Sequence, residues 1–181
     1  MHAGSAGLNQ RDSKRVPKIT CVEPFPSQSL RNRKEVELIP RFCQQVPLSF
    51  FERLSAGDLL FIDSTHAVKV GSDVVRIYLE IIPHLPAGIF LHIHDVYLPY
   101  AYPRDVFSMP YWWQETGLLI ALLTNNPRLS VLTCLSALHY DYPDEMRKLL
   151  TDYRPAPDHE GLAVSPSAPG HFPASIWLKT S

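Results

Sequence analysis

Two apolar runs, each followed directly by an aspartate, stand out in the hydrophobic pattern of this chain. Leu59–Ile62 precedes Asp63, and Gly88–His94 precedes Asp95. Runs this short and apolar are typical of buried strands, and a stretch with helical spacing of apolar residues, Gly71–Ile82, lies between them. A strand, a crossover helix and a second strand predict a right-handed βαβ unit in a parallel sheet.

Shorter predicted elements flank this unit. Strands are predicted at Lys18–Glu23, Val36–Ile39, Arg128–Cys134 and Ser175–Lys179. Helices are predicted to begin at Ser27 and to cover Leu48–Leu54, Gly71–Ile82, Trp112–Leu123 and Asp144–Leu150. The helix after Gly71 is expected to end before Pro83, because proline lacks the backbone N–H that a helix needs. Residues 98–110 predict an irregular flap, and most of 139–173 predicts surface loop.

Composition narrows the class of protein. The chain has 181 residues, of which 45% are hydrophobic and 19% charged, with a formal net charge of −1. We expect residues 1–17 to form a flexible tail or the remnant of a helix, and residues 18–181 to form a single domain. Arg31–Lys34 is the densest basic stretch, which is too short to track a phosphate backbone and disfavours nucleic acid as a partner.

The same pattern predicts a soluble cytoplasmic protein that does not associate with a membrane. The longest purely apolar run, Leu118–Leu123, falls far below the roughly 20 residues of a membrane-spanning helix. The start of the chain lacks the apolar segment of a signal peptide. Cys21, Cys43 and Cys134 are widely spaced, which favours buried thiols over disulfides or a zinc site.

Candidate chemistry gathers at the carboxyl ends of the two signature strands. In open parallel sheets the ligand site lies at this edge, so Asp63 and Asp95 should share one rim, with His66 and His94 nearby. Two carboxylates can supply oxygens to Mg²⁺, and an imidazole can remove a proton from a substrate hydroxyl. Simpler interpretations remain open, since Asp63 also suits a turn cap and His66 an exposed loop.

Taken together, the ordered runs resemble the class I S-adenosylmethionine-dependent methyltransferases, in particular the type 24 family of small-molecule methyltransferases. The resemblance covers about Ile19 to Leu123, and the stretches that carry it are Ile19–Pro24, Val46–Leu48, Gly57–His66, Gly71–Val74, His92–Asp95, Leu98–Pro99, Trp113 and Glu115. It implies an α/β fold with a Rossmann-like, mostly parallel methyltransferase sheet and an antiparallel C-terminal strand. It also implies S-adenosylmethionine as cofactor and methyl transfer to a small-molecule hydroxyl.

The resemblance assigns expected roles to particular residues. It implies that Glu23 binds the cofactor ribose and that Asp63 belongs to the cofactor and catalytic site. In metal-assisted members of the fold, acids at the positions of Asp63 and Asp95 hold Mg²⁺, and a histidine like His66 is the base. Gln45 stands where an acid is expected to contact adenine.

Some departures from the family shape the expectation for this chain. The family's first strand and glycine-rich loop are not recognisable before Ile19, and Val96 replaces a second acid after Asp95. We therefore expect an incomplete methyltransferase domain, from a misplaced start codon or a truncated gene. Two alternatives stay open. One is a metal-dependent hydrolase or oxygenase that uses His92, His94 and Asp95, and the other is a non-catalytic remnant that folds with a partner or as an oligomer.

Overall fold

The chain forms two compact units. The computed structural model describes residues 17–100, 114–151, 153 and 174–181. The first unit is the described part of Met1–Gln45, and the second is the described part of Val46–Ser181. The predicted tail, apart from Pro17, and most of the predicted flap lie outside the described residues.

The first unit is built on a pair of parallel strands. Strand β1 (Ile19–Val22) pairs in parallel with β2 (Val36–Ile39), and the short helix α1 (Gln28–Arg31) lies between them in sequence. The predicted cap of α1 is confirmed, because Ser27 Oγ accepts a hydrogen bond of 3.2 Å from Leu30 N. A 3₁₀ turn at Cys43–Gln45 follows β2.

The second unit contains a four-stranded sheet. Its strands are β3 (Leu59–Ile62), β4 (Phe90–His94), β5 (Leu129–Cys134) and β6 (Ser175–Thr180), in the spatial order β3-β4-β6-β5. β3 and β4 are parallel, and β6 runs antiparallel to both β4 and β5. Three strands therefore point the same way and the C-terminal strand opposes them, as expected from the resemblance.

Short helices accompany this sheet. They are α2 (Leu48–Phe51), α3 (Asp73–Arg76), a π-helical turn (Ile77–Ile81), α4 (Ile82–His84), α5 (Glu115–Leu123), α6 (Leu135–Asp141) and α7 (Pro143–Leu149). The core joins residues of the βαβ unit to the C-terminal strand, and its fully buried members include Tyr78, Ile81, Leu91, Ile93, Leu119, Ile176 and Leu178. No helix within the described ranges is long and apolar enough to cross a membrane.

Two local predictions were wrong. The helix of the βαβ unit does not end before Pro83 but continues through α4. The π-helical turn at Ile77–Ile81 widens the helix just before Pro83, and this geometry accommodates a residue that lacks a backbone N–H. Residues 139–141, predicted as loop, end helix α6, whose residue Ser136 is fully buried. The apolar and helix-forming residues before His139 outweigh the polar composition after it.

Candidate functional site

The carboxyl ends of β3 and β4 bring together the predicted acids and histidines of the second unit. His66 Nε2 lies 3.6 Å from Asp95 Oδ2. His94 Nδ1 lies 3.6 Å from Asp63 Oδ1 and 3.3 Å from Asp95 Oδ1. These distances confirm the prediction that the four side chains lie at one rim of the sheet.

The backbone at this rim is unusual at two of the four positions. His66 has a φ of 58° and Asp95 a φ of 54°, both in the left-handed region that side chains other than glycine rarely adopt. The loop before His66 is anchored, because Thr65 N and Thr65 Oγ1 both donate to the Asp73 carboxylate, at 2.8 and 2.5 Å. Strained backbone of this kind clusters at functional sites, since the surrounding structure must hold it in place.

Glu115, the first residue of α5, contacts His66 on the Nδ1 side of its ring. Glu115 Oε2 lies 2.6 Å from His66 Nδ1, and Ser64 Oγ donates to the same carboxylate oxygen at 2.6 Å. The backbone N–H groups of Gln114 and Glu115 also point at the carbonyl oxygen of His66, at 3.2 and 3.3 Å. The Glu115 side chain is only 2% exposed. These contacts fix both the backbone and the ring of His66.

The sequence alone assigns no role to Glu115. Glu115 is among the residues that carry the resemblance, but its partner His66 lies 49 residues earlier in the chain. A helix-first acid ordinarily suggests an interaction with the helix dipole, so the residue type alone does not reveal a histidine partner. The signal that could have found it is an acid at the start of an otherwise apolar helix.

Both histidines of the rim have raised pKa values. Burial by itself would lower the pKa of His66, but the hydrogen bond and charge of Glu115 outweigh it, helped by the charges of Asp95 and Asp63. The pKa of His94 is raised chiefly by its contact with Asp95, against the opposing effect of burial. The rim is therefore a place where carboxylates stabilise protonated imidazole, which suits a group that takes up a proton during a reaction.

Exposure increases outward along this network. The side chain of Glu115 is 2% exposed, that of His66 14%, that of Asp95 27% and that of Asp63 60%. Glu115 engages Nδ1 of the His66 ring, and Nε2 faces Asp95 on the more exposed side. A small molecule that reached this rim would meet a histidine nitrogen and two carboxylates.

The donor set at the rim gives limited support to a metal ion. Within the described ranges, no group of three or more histidine, cysteine or acidic side chains could hold a metal ion. His92, His94 and Asp95 therefore do not form the centre of the alternative metal enzyme, and the His92 ring stacks on Trp177 with ring centroids 4.3 Å apart. Magnesium at Asp63 and Asp95 would depend on water and substrate oxygens for its other ligands.

The predicted cofactor residues of the first unit have side chains that fit their expected roles. Glu23 directly follows β1, and its Oε1 accepts a 2.8 Å hydrogen bond from Phe25 N. A carboxylate has further acceptor positions, which could take ribose hydroxyls. Gln45 Oε1 accepts from Phe42 N at 3.2 Å, and its amide nitrogen is a donor of the kind an adenine ring nitrogen accepts. Their roles remain predictions.

The fold and the rim define the class of protein: a Rossmann-like α/β domain with candidate chemistry at the carboxyl ends of its parallel strands. A family profile described as a methyltransferase domain matches residues 4–96, just over half of the chain. The chain belongs to this family, as a class I S-adenosylmethionine-dependent methyltransferase-type domain. The match includes Glu23, Asp63, His66 and Asp95. No curated protein and no solved structure matches the chain.

Proposed function

We propose that this chain transfers a methyl group from S-adenosylmethionine to a hydroxyl of a small molecule, with His66 as the general base. The family supports methyl transfer in general, and one observation supports the choice of base. His66 Nδ1 lies 2.6 Å from the buried Glu115 carboxylate, and its other nitrogen faces the rim. A base held in this way is orientated before the acceptor arrives.

In the proposed step, the methyl group passes from sulfur to the acceptor oxygen. S-adenosylmethionine, when bound, supplies an electrophilic methyl group on a positively charged sulfur. The acceptor hydroxyl gives its proton to His66 Nε2 as its oxygen bonds to the methyl carbon, and the electrons of the broken carbon–sulfur bond stay on sulfur. Glu115 stabilises the imidazolium that forms. Asp95, at 3.6 Å from Nε2, and Asp63 would orient the acceptor hydroxyl.

The location we propose is the cytoplasm, and the partner a small molecule. Cys21, Cys43 and Cys134 form no disulfide, which agrees with a reducing compartment. The substrate is named only as a hydroxyl compound, because a histidine base and two carboxylates suit any hydroxyl acceptor.

A labelled-methyl assay on the full chain tests the proposed function. The chain is incubated with S-adenosylmethionine carrying a labelled methyl group and a panel of sugars, phenols and polyols. We expect transfer to at least one hydroxyl acceptor, and we expect His66→Gln to lower kcat by about 10²- to 10⁴-fold. His84→Gln is the matched control, because His84 is an exposed histidine whose ring contacts the Glu80 backbone.

Two results would count against the proposal. Unchanged turnover in His66→Gln would remove the base from the mechanism. A folded chain that binds S-adenosylhomocysteine but methylates no acceptor in the panel would favour the non-catalytic remnant.

A further inference from the structure

The support behind His66 is a carboxylate with two different oxygens. Glu115 Oε2 accepts a hydrogen bond from Ser64 Oγ and lies beside His66 Nδ1, each at 2.6 Å. Glu115 Oε1 is buried and makes no hydrogen bond within the described part of the chain. A buried carboxylate oxygen without a donor is costly, so its surroundings matter.

The π-helical turn supplies a second buried group of the same kind. Tyr78 lies in this turn, is 0% exposed, and its hydroxyl also has no hydrogen bond among the described residues. The turn packs against α5, the helix that Glu115 begins. Burial raises the pKa of Tyr78 well above its usual range, and the neighbouring Glu115 carboxylate raises it further. A hydroxyl that stays protonated is a donor, and an unpaired carboxylate oxygen is an acceptor.

We infer that Glu115 and Tyr78 form a buried support that positions His66 in a single tautomer. In this support Glu115 acts as the acceptor, so His66 Nδ1, 2.6 Å from its Oε2, is the donor. Neutral His66 then has its proton on Nδ1 and its lone pair on Nε2, facing Asp95. Within this support we assign the Tyr78 hydroxyl, a buried donor that lies beside Glu115, to the other carboxylate oxygen. Turns of this π-helical kind are frequent at functional sites.

Glu115 and Tyr78 position His66 and take no direct part in the reaction. Only the use of the Nε2 lone pair as a base rests on the proposed function. Glu115 and Tyr78 are too deeply buried to meet an acceptor at the rim, with side chains 2% and 0% exposed. Their effect on methyl transfer would pass through His66. We therefore expect their loss to lower kcat and to leave KM for the methyl donor nearly unchanged.

The test is nuclear magnetic resonance of the His66 ring in the full chain without ligand. Long-range proton–nitrogen spectra at a pH above the titration of His66 distinguish a proton on Nδ1 from one on Nε2. We expect Nδ1–H in the wild-type chain. We expect Glu115→Gln to yield a mixture of the two tautomers, because its amide both donates and accepts. Tyr78→Phe should keep Nδ1–H but broaden the ring signals, and Tyr142→Phe, at an exposed tyrosine, should change neither.

The outcomes separate this inference from the proposed function. Nε2–H in the wild-type chain overturns the support, whatever the variants do. A His66 spectrum that is identical in wild type and Glu115→Gln also overturns it, even if the variant is less stable. Nδ1–H without any methyl transfer leaves the support standing and overturns the proposed function. Methyl transfer by a chain with Nε2–H overturns the support and the choice of Nε2 as the basic atom, and leaves methyl transfer itself standing.

Discussion

At the scale of single residues, the acids around His66 determine when it can act as a base. His66 must be neutral to accept a proton, and Glu115, Asp95 and Asp63 all raise its pKa above the ordinary value of about 6.5. The rate of methyl transfer should therefore rise with pH along a limb that lies above this value. The limb reports the pKa of the base in the free enzyme when kcat/KM is plotted.

Asp95→Asn tests this electrostatic account. Removing the negative charge makes protonated His66 less stable, so its pKa falls and the acidic limb of kcat/KM should move to lower pH. Asparagine tolerates the left-handed backbone that Asp95 adopts at φ 54°, so the loop need not change. Asp144→Asn removes an exposed charge elsewhere and should leave the limb in place. A limb that stays fixed in Asp95→Asn would show that Asp95 does not act on the base.

The residues of the rim differ in how far the sequence predicts them. Asp63 and Asp95 follow apolar strands, and the rule that parallel strands end at one edge brings them together without any structure. His66 follows from its distance to Asp63 along the chain. Glu115 and Tyr78 do not follow, because their roles depend on how α5 and the π-helical turn pack, and no local pattern encodes that packing.

At the scale of elements, the helical segment of the βαβ unit does more than connect β3 to β4. Its π-helical turn contains Tyr78, which is completely buried, and Leu79, which is 54% exposed. Neighbouring residues in one turn thus have opposite environments. The sequence predicts the helix but not the widened turn, because proline is ordinarily read as a helix end.

Paired alanine substitutions in this turn measure its packing. Tyr78→Ala should lower the free energy of unfolding by about 3–5 kcal/mol, as expected for removing a large buried aromatic side chain. Leu79→Ala should change it by less than about 1 kcal/mol, since most of that side chain is already in water. Urea unfolding followed by circular dichroism gives both values. Equal effects of the two substitutions would mean that the turn does not pack as the structure has it.

At the scale of the whole molecule, patterns of apolar and polar residues alone do not predict the order of the strands in the sheet. The strands themselves were predicted from apolar runs, and β1 to β6 all lie close to the predicted segments. The resemblance implied that the C-terminal strand is antiparallel, but nothing in the sequence predicted its position between β4 and β5. The C-terminal strand β6 pairs with β4 and β5, which precede it in the chain. Pairings between segments far apart in sequence leave no local pattern.

The family match extends across both compact units, from residue 4 to residue 96. It therefore covers Glu23 in the first unit as well as Asp63, His66 and Asp95 in the second. The ribose role that the resemblance implies for Glu23 requires that a substitution there weaken cofactor binding.

Calorimetric titration with S-adenosylhomocysteine, with and without Mg²⁺, tests that requirement. Glu23→Gln should weaken binding about 10- to 100-fold, since hydrogen bonds to a charged group contribute about 1.5–3 kcal/mol. Glu35→Gln, an exposed acid of the same unit that pairs with Arg33, should bind like the wild-type chain. If Asp63 and Asp95 hold Mg²⁺, the ion should give heat that Asp63→Asn abolishes. Equal binding by both glutamate variants would contradict the ribose role of Glu23, whereas no heat from a folded wild-type chain would favour a remnant over a working enzyme.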